Sequence, residues 1–321
     1  MAGEEKNHGT LEGIITRSAG RWYSVRLSDG QMVQATLKGK LRLTEHYTTN
    51  PVCVGDRVSL EQHNHAYVIT EVKERTNCIV RQSARDQATV QVLAANLDQA
   101  LLLVTVAHPR TSLGFIDRFL VVSTAYGVPV FLAFNKADLY DALMMKQAEQ
   151  WKNLYEGAGY SSLLISAKTG LGLDTLRQLL LGKTTLVAGH SGVGKTTLIN
   201  ALIPGLNLRT APLSRYHNKG RHTTSAAEMY ALPFSGYLVD TPGIKELGIF
   251  SLKLHEVGHY YPDLKPYLSL CRFHTCLHLN EPGCAVRQAV QNERIAPSRY
   301  ESYCSIIHEL KTDEPVYGRS F

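Results

Sequence analysis

The chain has no long apolar run, and no stretch of its 321 residues reaches the length needed to span a membrane. Its first eight residues, Met1 to His8, lack the apolar core of a secretory signal. Internal repeats and low-complexity stretches are also missing. These absences argue against a membrane-spanning, secreted or repeat protein, and they predict a soluble, cytoplasmic protein with no membrane partner.

Charged residues are scarce as well. They make up 19% of the chain, a proportion that is not typical of a disordered protein. Hydrophobic residues make up 44%, which is enough to form buried cores. The length predicts two or three domains. A net charge of +6 permits an anionic partner such as RNA but does not require one.

Cysteine is limited to six residues, and three of them form a cluster near the C-terminus. With one histidine, the cluster offers the donor set of a closed, structural Zn²⁺ site, and it consists of Cys271, Cys276, His278 and Cys284. Cysteine clusters in intracellular proteins bind metal more often than they form disulfides. His274 is the alternative imidazole ligand. A core of three reduced thiols is disfavoured by polar neighbours such as Arg272 and Glu281.

Residues 9–75 alternate apolar and polar positions between turn signals. The predicted strands are Leu11–Thr16, Trp22–Leu27, Gln31–Leu37, a segment after Val58, and Ala66–Val72. Five short strands predict a small closed barrel such as an OB-fold, which we assign to residues 1–75. A β-module that only packs on its neighbour is the alternative.

Strands and helices alternate in the central region, assigned to residues 76–250. The predicted strands are Ala100–Val106, Val128–Phe134, Leu163–Ser166, Thr184–Ala188 and Tyr237–Val239. The predicted helices are Phe115–Tyr126, Ala142–Tyr155 and Thr196–Leu202. This alternation predicts a parallel, doubly wound sheet, which binds ligands at the carboxyl ends of its strands.

A phosphate-loop motif, G-x-x-x-x-G-K-[ST], follows one of these strands. Its glycines let backbone N–H groups turn inward around phosphates, and the following helix adds its positive dipole end. Lys195 is predicted to reach the β- and γ-phosphates, and Thr196 to place its hydroxyl on Mg²⁺. The predicted nucleotide-binding residues here are Gly189, His190, Ser191, Gly192, Val193, Gly194, Lys195, Thr196 and Thr197.

Two further motifs at strand ends predict guanine recognition. They are Asn135, Lys136, Ala137 and Asp138 in one loop and Ser166, Ala167 and Lys168 in another. The carboxylate of Asp138 can accept guanine N1–H and N2–H₂, a donor pair that adenine lacks. Asn135 is predicted to tie the loops together and Lys136 to lie over the base. A backbone N–H of the second loop can donate to guanine O6.

Asp240, Thr241, Pro242 and Gly243 follow the last predicted strand. Asp240 is predicted to hold Mg²⁺ through water, and the Gly243 N–H to sense the γ-phosphate. The next residue is Ile244, where Ras-like enzymes place a glutamine that orients water. Nucleotide hydrolysis is therefore either slow in the absence of a partner, or another residue positions the attacking water.

The segment from Gly220 to Thr224 occupies the expected position of the first switch. Thr223 and Thr224 are both candidates to complete the Mg²⁺ shell, with Thr223 placed first. His222 is the candidate catalytic residue that orders the attacking water, and its alternative is an exposed loop histidine.

Beyond residue 250 the pattern becomes irregular and rich in proline. Helices are predicted at Val286–Arg294 and Tyr300–Leu310. A region this irregular needs a cross-link to stay folded, and a metal ion bound to the cysteine cluster would provide one. We assign residues 251–321 to a zinc-binding domain with helices.

The order of these motifs resembles that of the circularly permuted GTPases, because the base-reading loops precede the phosphate loop. With a barrel before them and a cysteine cluster after them, the chain is similar over nearly its whole length to the bacterial small-ribosomal-subunit-dependent GTPase family (RsgA, or YjeQ). The resemblance implies an N-terminal OB-fold, a circularly permuted P-loop GTPase domain and a zinc domain. It also implies slow hydrolysis of GTP to GDP with Mg²⁺, stimulation by the 30S subunit, and a role late in 30S assembly. One structural Zn²⁺, contact with 16S rRNA and a monomeric state are expected.

Two other functions remain open from the residues alone. In an RNA-binding adaptor, GTP would be a structural ligand, which Ile244 favours slightly. An ATPase conflicts with Asp138.

Overall fold

The computed structural model describes residues 10–42, 50–63, 66–82, 90–208, 227–241, 249 and 252–313. These residues form two compact units. The first comprises the described residues within 1–98, 180–187 and 214–244, and the second those within 99–179, 188–213 and 245–321. In the described part of the chain, no helix has the length and apolar character needed to cross a membrane.

The first unit contains a closed five-stranded barrel. Its strands are β1 (Leu11–Ala19), β2 (Trp22–Leu27), β3 (Met32–Leu37), β4 (Arg57–His63) and β5 (Ala66–Val72). β1 pairs with both β2 and β4, β2 with β3, and β4 with β5, all antiparallel, while β3 runs parallel to β5. Each strand thus has two neighbours, which confirms the predicted OB-type barrel.

Alternate residues of the barrel strands point inward and form its core. Along β2 these are Tyr23, Val25 and Leu27, all buried. β1 has a bulge between Ile15 and Arg17, which bends the strand so that it can pair on both sides. The alternation of apolar and polar residues in the sequence therefore predicts which side chains face the barrel interior.

The first unit also contains one pair and one group of three short strands outside the barrel. β6 (Cys78–Gln82) pairs antiparallel with β7 (Val90–Ala95), a hairpin that the sequence pattern did not predict. β11 (Thr184–Ala188) runs parallel to β13 (Tyr237–Asp240), which pairs antiparallel with β12 (Glu228–Ala231). β12 meets β1 where Arg17 lies opposite Glu228, and the two side chains form an ion pair of 2.9 Å. The barrel and the strand that ends at Asp240 therefore belong to one sheet.

The second unit has the predicted alternation of strand and helix. β8 (Gln99–Val104), β9 (Val130–Phe134) and β10 (Ser162–Leu164) are parallel. The helices are α1 (Leu113–Ala125), α2 (Ala142–Gly157), α3 (Leu173–Leu180) and α4 (Lys195–Leu202). Every residue of β8 is buried, as expected of a parallel strand covered on both faces. α1 begins two residues earlier than predicted because the Ser112 side chain caps it by accepting from the Phe115 N–H.

The C-terminal part of the second unit consists of helices joined by irregular segments. It contains α5 (Lys265–Leu268), α6 (Ala285–Gln291) and α7 (Pro297–Asp313). α7 starts three residues before the predicted Tyr300, with Pro297 in its first position, where the missing N–H of proline costs no hydrogen bond. It packs against α1.

Arg299 joins α7 to α1 in the interior of the second unit. Its side chain is fully buried, and it forms an ion pair with Asp117 on α1. Nε and Nη2 donate to the carboxylate of Asp263 at 3.1 and 2.9 Å, and the guanidinium lies 4.6 Å from the ring centre of Tyr261. Burial raises the pKa of Asp117 even beside this cation. One cation is thus shared by two buried carboxylates.

We expect Arg299→Met to lower the free energy of unfolding by about 3–5 kcal/mol, because it leaves two buried carboxylates without their cation. Arg299 is one of the groups that lower the pKa of Asp117, so its removal should raise this pKa further and let the carboxyl group take up a proton as the pH falls. The deficit should therefore be larger at about pH 8 than at about pH 5. Urea denaturation at both pH values measures it.

The control for this variant is Arg118→Met, which removes the neighbouring, partly exposed arginine that pairs with Glu309. Its expected loss is about 1 kcal/mol or less. A similar small loss for Arg299→Met, or a loss that does not change with pH, would show that Arg299 is not the counter-ion of these carboxylates.

Candidate nucleotide and metal sites

Asn135 connects three loops of the second unit. It follows β9, and its side chain is almost fully buried. Its Oδ1 accepts the Ala167 N–H at 3.0 Å, and its Nδ2 donates to the Val193 carbonyl at 2.8 Å. The two base-reading motifs and the phosphate-loop motif, which are separate in sequence, thus meet at one side chain.

Asp138 is exposed, and one of its carboxylate oxygens is held by the protein. The hydroxyl of Ser166 donates to Asp138 Oδ1 at 2.6 Å, and the same hydroxyl accepts the Thr169 N–H at 3.2 Å. A carboxylate fixed in this way is oriented before any ligand arrives, and its remaining lone pairs are available to a purine edge. The serine of the second motif therefore serves to orient the aspartate of the first.

The phosphate-loop motif forms a tight turn between β11 and α4, and two of its glycines are sterically required. Gly189 and Gly194 have φ values of +140° and +102°. A Cβ on Gly189 would lie 2.6 Å from the Leu103 carbonyl oxygen, and one on Gly194 would lie 2.5 Å from Asn135 Nδ2. Any side chain at either position would push the loop away from β8 or from Asn135.

Two lysines of the predicted site contact backbone carbonyls. Lys195 Nζ donates to the carbonyl oxygens of Gly189 and His190 at 2.6 and 3.3 Å, which places its ammonium group within the curve of the loop. Lys136 has a left-handed backbone, and its Nζ donates to the His108 carbonyl. Burial lowers the pKa of Lys136. Phosphate oxygens would be stronger acceptors for Lys195 than these carbonyls.

The other predicted nucleotide residues are distributed as follows. Thr196 and Thr197 lie in the first turn of α4, and Lys168 is exposed. Asp240 is the last residue of β13 in the first unit, and Thr241 follows it. The catalytic candidate His222 lies outside the described residues, as do Thr223, Thr224, Gly243 and Ile244. The roles assigned to these residues from the sequence stay predictions.

The predicted metal ligands come together in the second unit. One ligand atom from each of Cys271, Cys276, His278 and Cys284 lies within 4.8 Å of every other. His278 Nδ1 is 3.4 Å from the Sγ atoms of both Cys271 and Cys284. Tetrahedral ligands at the usual Zn–S bond length are about 3.8 Å apart, so the set fits this ion. The alternative imidazole, His274, is exposed and does not belong to the group.

Burial raises the pKa of Cys276 to about 12 and lowers the pKa of His278. Both groups are therefore neutral at pH 7 in the absence of a cation, and a metal ion would displace the thiol protons. Three thiolates and one imidazole complete a tetrahedral shell, so a bound Zn²⁺ would cross-link the loop without an open position for catalysis.

Glu281 organises the loop that carries two of the metal ligands. Its carboxylate accepts backbone N–H groups from Leu277, Leu279 and Asn280 at 2.9, 2.8 and 3.0 Å. Burial alone would raise the pKa of Glu281, but these hydrogen bonds bring it below its ordinary value. They hold His278, whose φ is +57°, in its left-handed conformation.

We expect Glu281→Gln to weaken metal retention about 10- to 100-fold, because an amide has only one acceptor oxygen and its NH₂ would face at least one of the three N–H donors. Competition with a chromogenic chelator measures the release. Glu301→Gln, an exposed position on α7, is the control and should release metal at the wild-type rate. Equal release from Glu281→Gln and wild type would show that the carboxylate does not support the metal loop.

α7 also contacts this loop. The hydroxyls of Tyr300 and Tyr303 donate to the carbonyls of His278 and Leu277 at 2.6 and 3.0 Å. The sequence pattern did not point to these tyrosines or to Arg299. Glu281 was detectable, since it is the carboxylate between His278 and Cys284.

Comparison with known proteins agrees with this geometry. The model of the RsgA GTPase family matches residues 72–250, and that of the RsgA N-terminal domain matches residues 12–68. Over 301 residues the chain is 48% identical to the Small ribosomal subunit biogenesis GTPase RsgA of Bacteroides fragilis, covering 93% of this chain and 97% of that protein. It is 45% identical over 305 residues to the protein of the same name from Cytophaga hutchinsonii, covering 94% and 99%.

Solved structures show the same similarity. The crystal structure of YjeQ from Thermotoga maritima superposes with a TM-score of 0.78 at 34% identity and covers 94% of this chain and 99% of that one. YloQ, described as a circularly permuted GTPase, gives a TM-score of 0.75 at 29% identity and covers 98% and 100%. From its motif order, its barrel and these matches, the chain belongs to the RsgA GTPase family.

Proposed function

We propose that this chain is a cytoplasmic GTPase that acts on the small ribosomal subunit late in its assembly and hydrolyses GTP to GDP and phosphate. The observation that supports this most strongly is the meeting of three nucleotide motifs at Asn135, because it brings the loop that carries Asp138 next to the phosphate loop, as the binding of one guanine nucleotide requires. The names of the relatives support the choice of the small subunit.

In the proposed reaction, Asp138 reads the guanine edge, and Lys195 with the loop N–H groups holds the β- and γ-phosphates. Thr196, with Thr223 or Thr224, would hold Mg²⁺ directly, and Asp240 would hold it through water. Mg²⁺ would neutralise charge that develops on the transferred phosphoryl group. His222 is the residue proposed to order the attacking water, because Ile244 cannot.

The division into residues 1–75, 76–250 and 251–321 is proposed to separate three tasks. The barrel and the C-terminal region would contact the subunit and its 16S rRNA, and the central region would bind GTP or GDP. One structural Zn²⁺ on the cysteine cluster would keep the C-terminal region folded. We propose a monomer.

The test is the rate of GTP hydrolysis with small subunits, large subunits or bare rRNA added at equal concentration. Small subunits alone should accelerate turnover. The same acceleration by large subunits would contradict the proposed partner, and acceleration by bare rRNA alone would assign the role to RNA rather than to the assembled particle.

An RNA-binding adaptor that uses GTP as a structural ligand is the second candidate, and Ile244 is the residue that favours it. Single-turnover hydrolysis with small subunits separates the two. The adaptor would leave bound GTP intact through the lifetime of its complex with the subunit, whereas the GTPase would not.

A further inference from the structure

The segment between β8 and α1, residues 105–112, contacts the base-reading loop. The Val106 N–H donates to the Tyr140 hydroxyl at 3.2 Å, and this hydroxyl donates to the Asn135 carbonyl at 2.5 Å. Lys136 Nζ donates to the His108 carbonyl in the same segment. We name residues 105–112 the β8–α1 loop. The motifs of the sequence analysis did not include any of its residues.

The β8–α1 loop is closed on itself by two threonines, which are both buried. The Thr111 N–H donates to the Thr105 carbonyl at 2.8 Å. The Thr105 N–H donates to Thr111 Oγ1 at 3.0 Å, and the Thr105 hydroxyl donates to the Pro109 carbonyl. Since these groups are buried, breaking one of them leaves a polar atom without water to replace its partner. The position of Thr111 is therefore fixed by the loop itself.

Thr111 also contacts the phosphate loop, through its hydroxyl. Thr111 Oγ1 lies 2.7 Å from Nε2 of His190, the residue after Gly189. The other ring nitrogen, Nδ1, lies 3.0 Å from the Ser191 carbonyl, which can only accept. Nδ1 therefore carries the proton, and Nε2 accepts from the Thr111 hydroxyl. Phe115 also supports the imidazole through an edge-to-face contact, with ring centres 6.1 Å apart.

We propose that Thr111 is a positioning residue for phosphate binding, and that it acts by holding His190 and with it the first half of the phosphate loop. The Gly189 and His190 carbonyls are the groups that Lys195 contacts, so a shift of His190 would move the backbone on which the lysine rests. A loop that is ordered before the nucleotide binds loses less entropy on binding. This inference rests on the proposed function.

The Thr111–His190 contact should affect phosphate binding but not base reading. The contact involves neither Asp138 nor Ser166, so its loss should weaken the binding of GDP and of inosine diphosphate (IDP) by the same factor. IDP lacks the 2-amino group that Asp138 is proposed to read. The ratio of GDP to IDP affinity is then the measure of base reading, and the absolute affinity is the measure of loop order.

We expect Thr111→Val to weaken GDP binding about tenfold in calorimetric titration of the full-length protein. The ratio of GDP affinity to IDP affinity should be unchanged. Thr111→Ser keeps the hydroxyl and should restore most of the affinity. Ser112→Ala is the matched control, because it removes the hydroxyl of the adjacent residue, which caps α1 by accepting from the Phe115 N–H. Circular dichroism melting of each variant reports its fold.

A double-mutant cycle with His190→Phe isolates the contact. Thr111→Val also leaves the Thr105 N–H without its acceptor, but this loss occurs on both arms of the cycle and cancels. The double variant should bind GDP about as well as the weaker single variant. Additive losses, equal weakening by Ser112→Ala, or wild-type affinity in Thr111→Val would each overturn the inference. Failure of the wild type itself to bind GDP would instead overturn the proposed function.

Discussion

Asp138→Asn should weaken GTP binding about a hundredfold or more and should give the protein a preference for xanthosine triphosphate (XTP). An asparagine amide presents one acceptor and one donor, which match the N1–H and the 2-oxo group of xanthine. The guanine 2-amino group would instead face a donor. The Ser166 hydroxyl can still donate to the asparagine oxygen, so the loop geometry should survive. Competition of GTP, XTP and ATP against a labelled nucleotide measures the change.

The control for this variant is Asp141→Asn, three residues further on. The Asp141 side chain caps α2 by accepting from the Met144 N–H at 2.8 Å, and asparagine is an equally good cap. This variant should keep wild-type affinity and base preference. If Asp138→Asn still preferred GTP to XTP, residue 138 would not be the group that reads the base.

Cys276→Ala should release the metal and abolish stimulation by small subunits, while GDP binding persists. A structural Zn²⁺ site contributes about 10–16 kcal/mol in small zinc domains, which is comparable to the whole stability of a typical domain. Without the metal, the loop that Tyr300 and Tyr303 contact would lose its cross-link. The Arg299 pairs lie on α7 rather than in the loop, so the nucleotide-binding part of the second unit should stay folded.

Cys304→Ala is the matched control, since Cys304 is a free thiol on α7 outside the cluster. It should retain metal and full stimulation. Metal content by atomic emission and hydrolysis rates with small subunits are measured on the same preparations. A metal-free Cys276→Ala protein with unchanged stimulation would show that the metal centre does not take part in the response to the subunit.

The nucleotide loops could be predicted because their chemistry restricts the residue types that can serve. Glycine is required at Gly189 and Gly194 by contacts below 3 Å, and Asp138 is the residue predicted to accept from the donor pair on guanine. Such residues are visible at fixed spacing in the sequence. The cysteine cluster was predictable for the same reason, because three thiols and an imidazole are needed to surround the ion.

Other features could not be predicted because they depend on tertiary contacts between distant residues. Arg299 is one of many arginines in the sequence, and only the fold shows that it is buried between Asp117 and Asp263. Thr111 and His190 are 79 residues apart, and no local pattern pairs them. The β6–β7 hairpin was missed because its two strands are short and separated by a polar segment.

We propose that a chain with reordered motifs still places a guanine-reading carboxylate and a phosphate loop at one site. Calorimetric titration of the unmodified protein with GDP and with ADP, each with Mg²⁺, tests this most directly. We expect a single site that binds GDP about a hundredfold more tightly than ADP, or better. Equal affinities for the two nucleotides, or no heat of binding with GDP, would contradict the account.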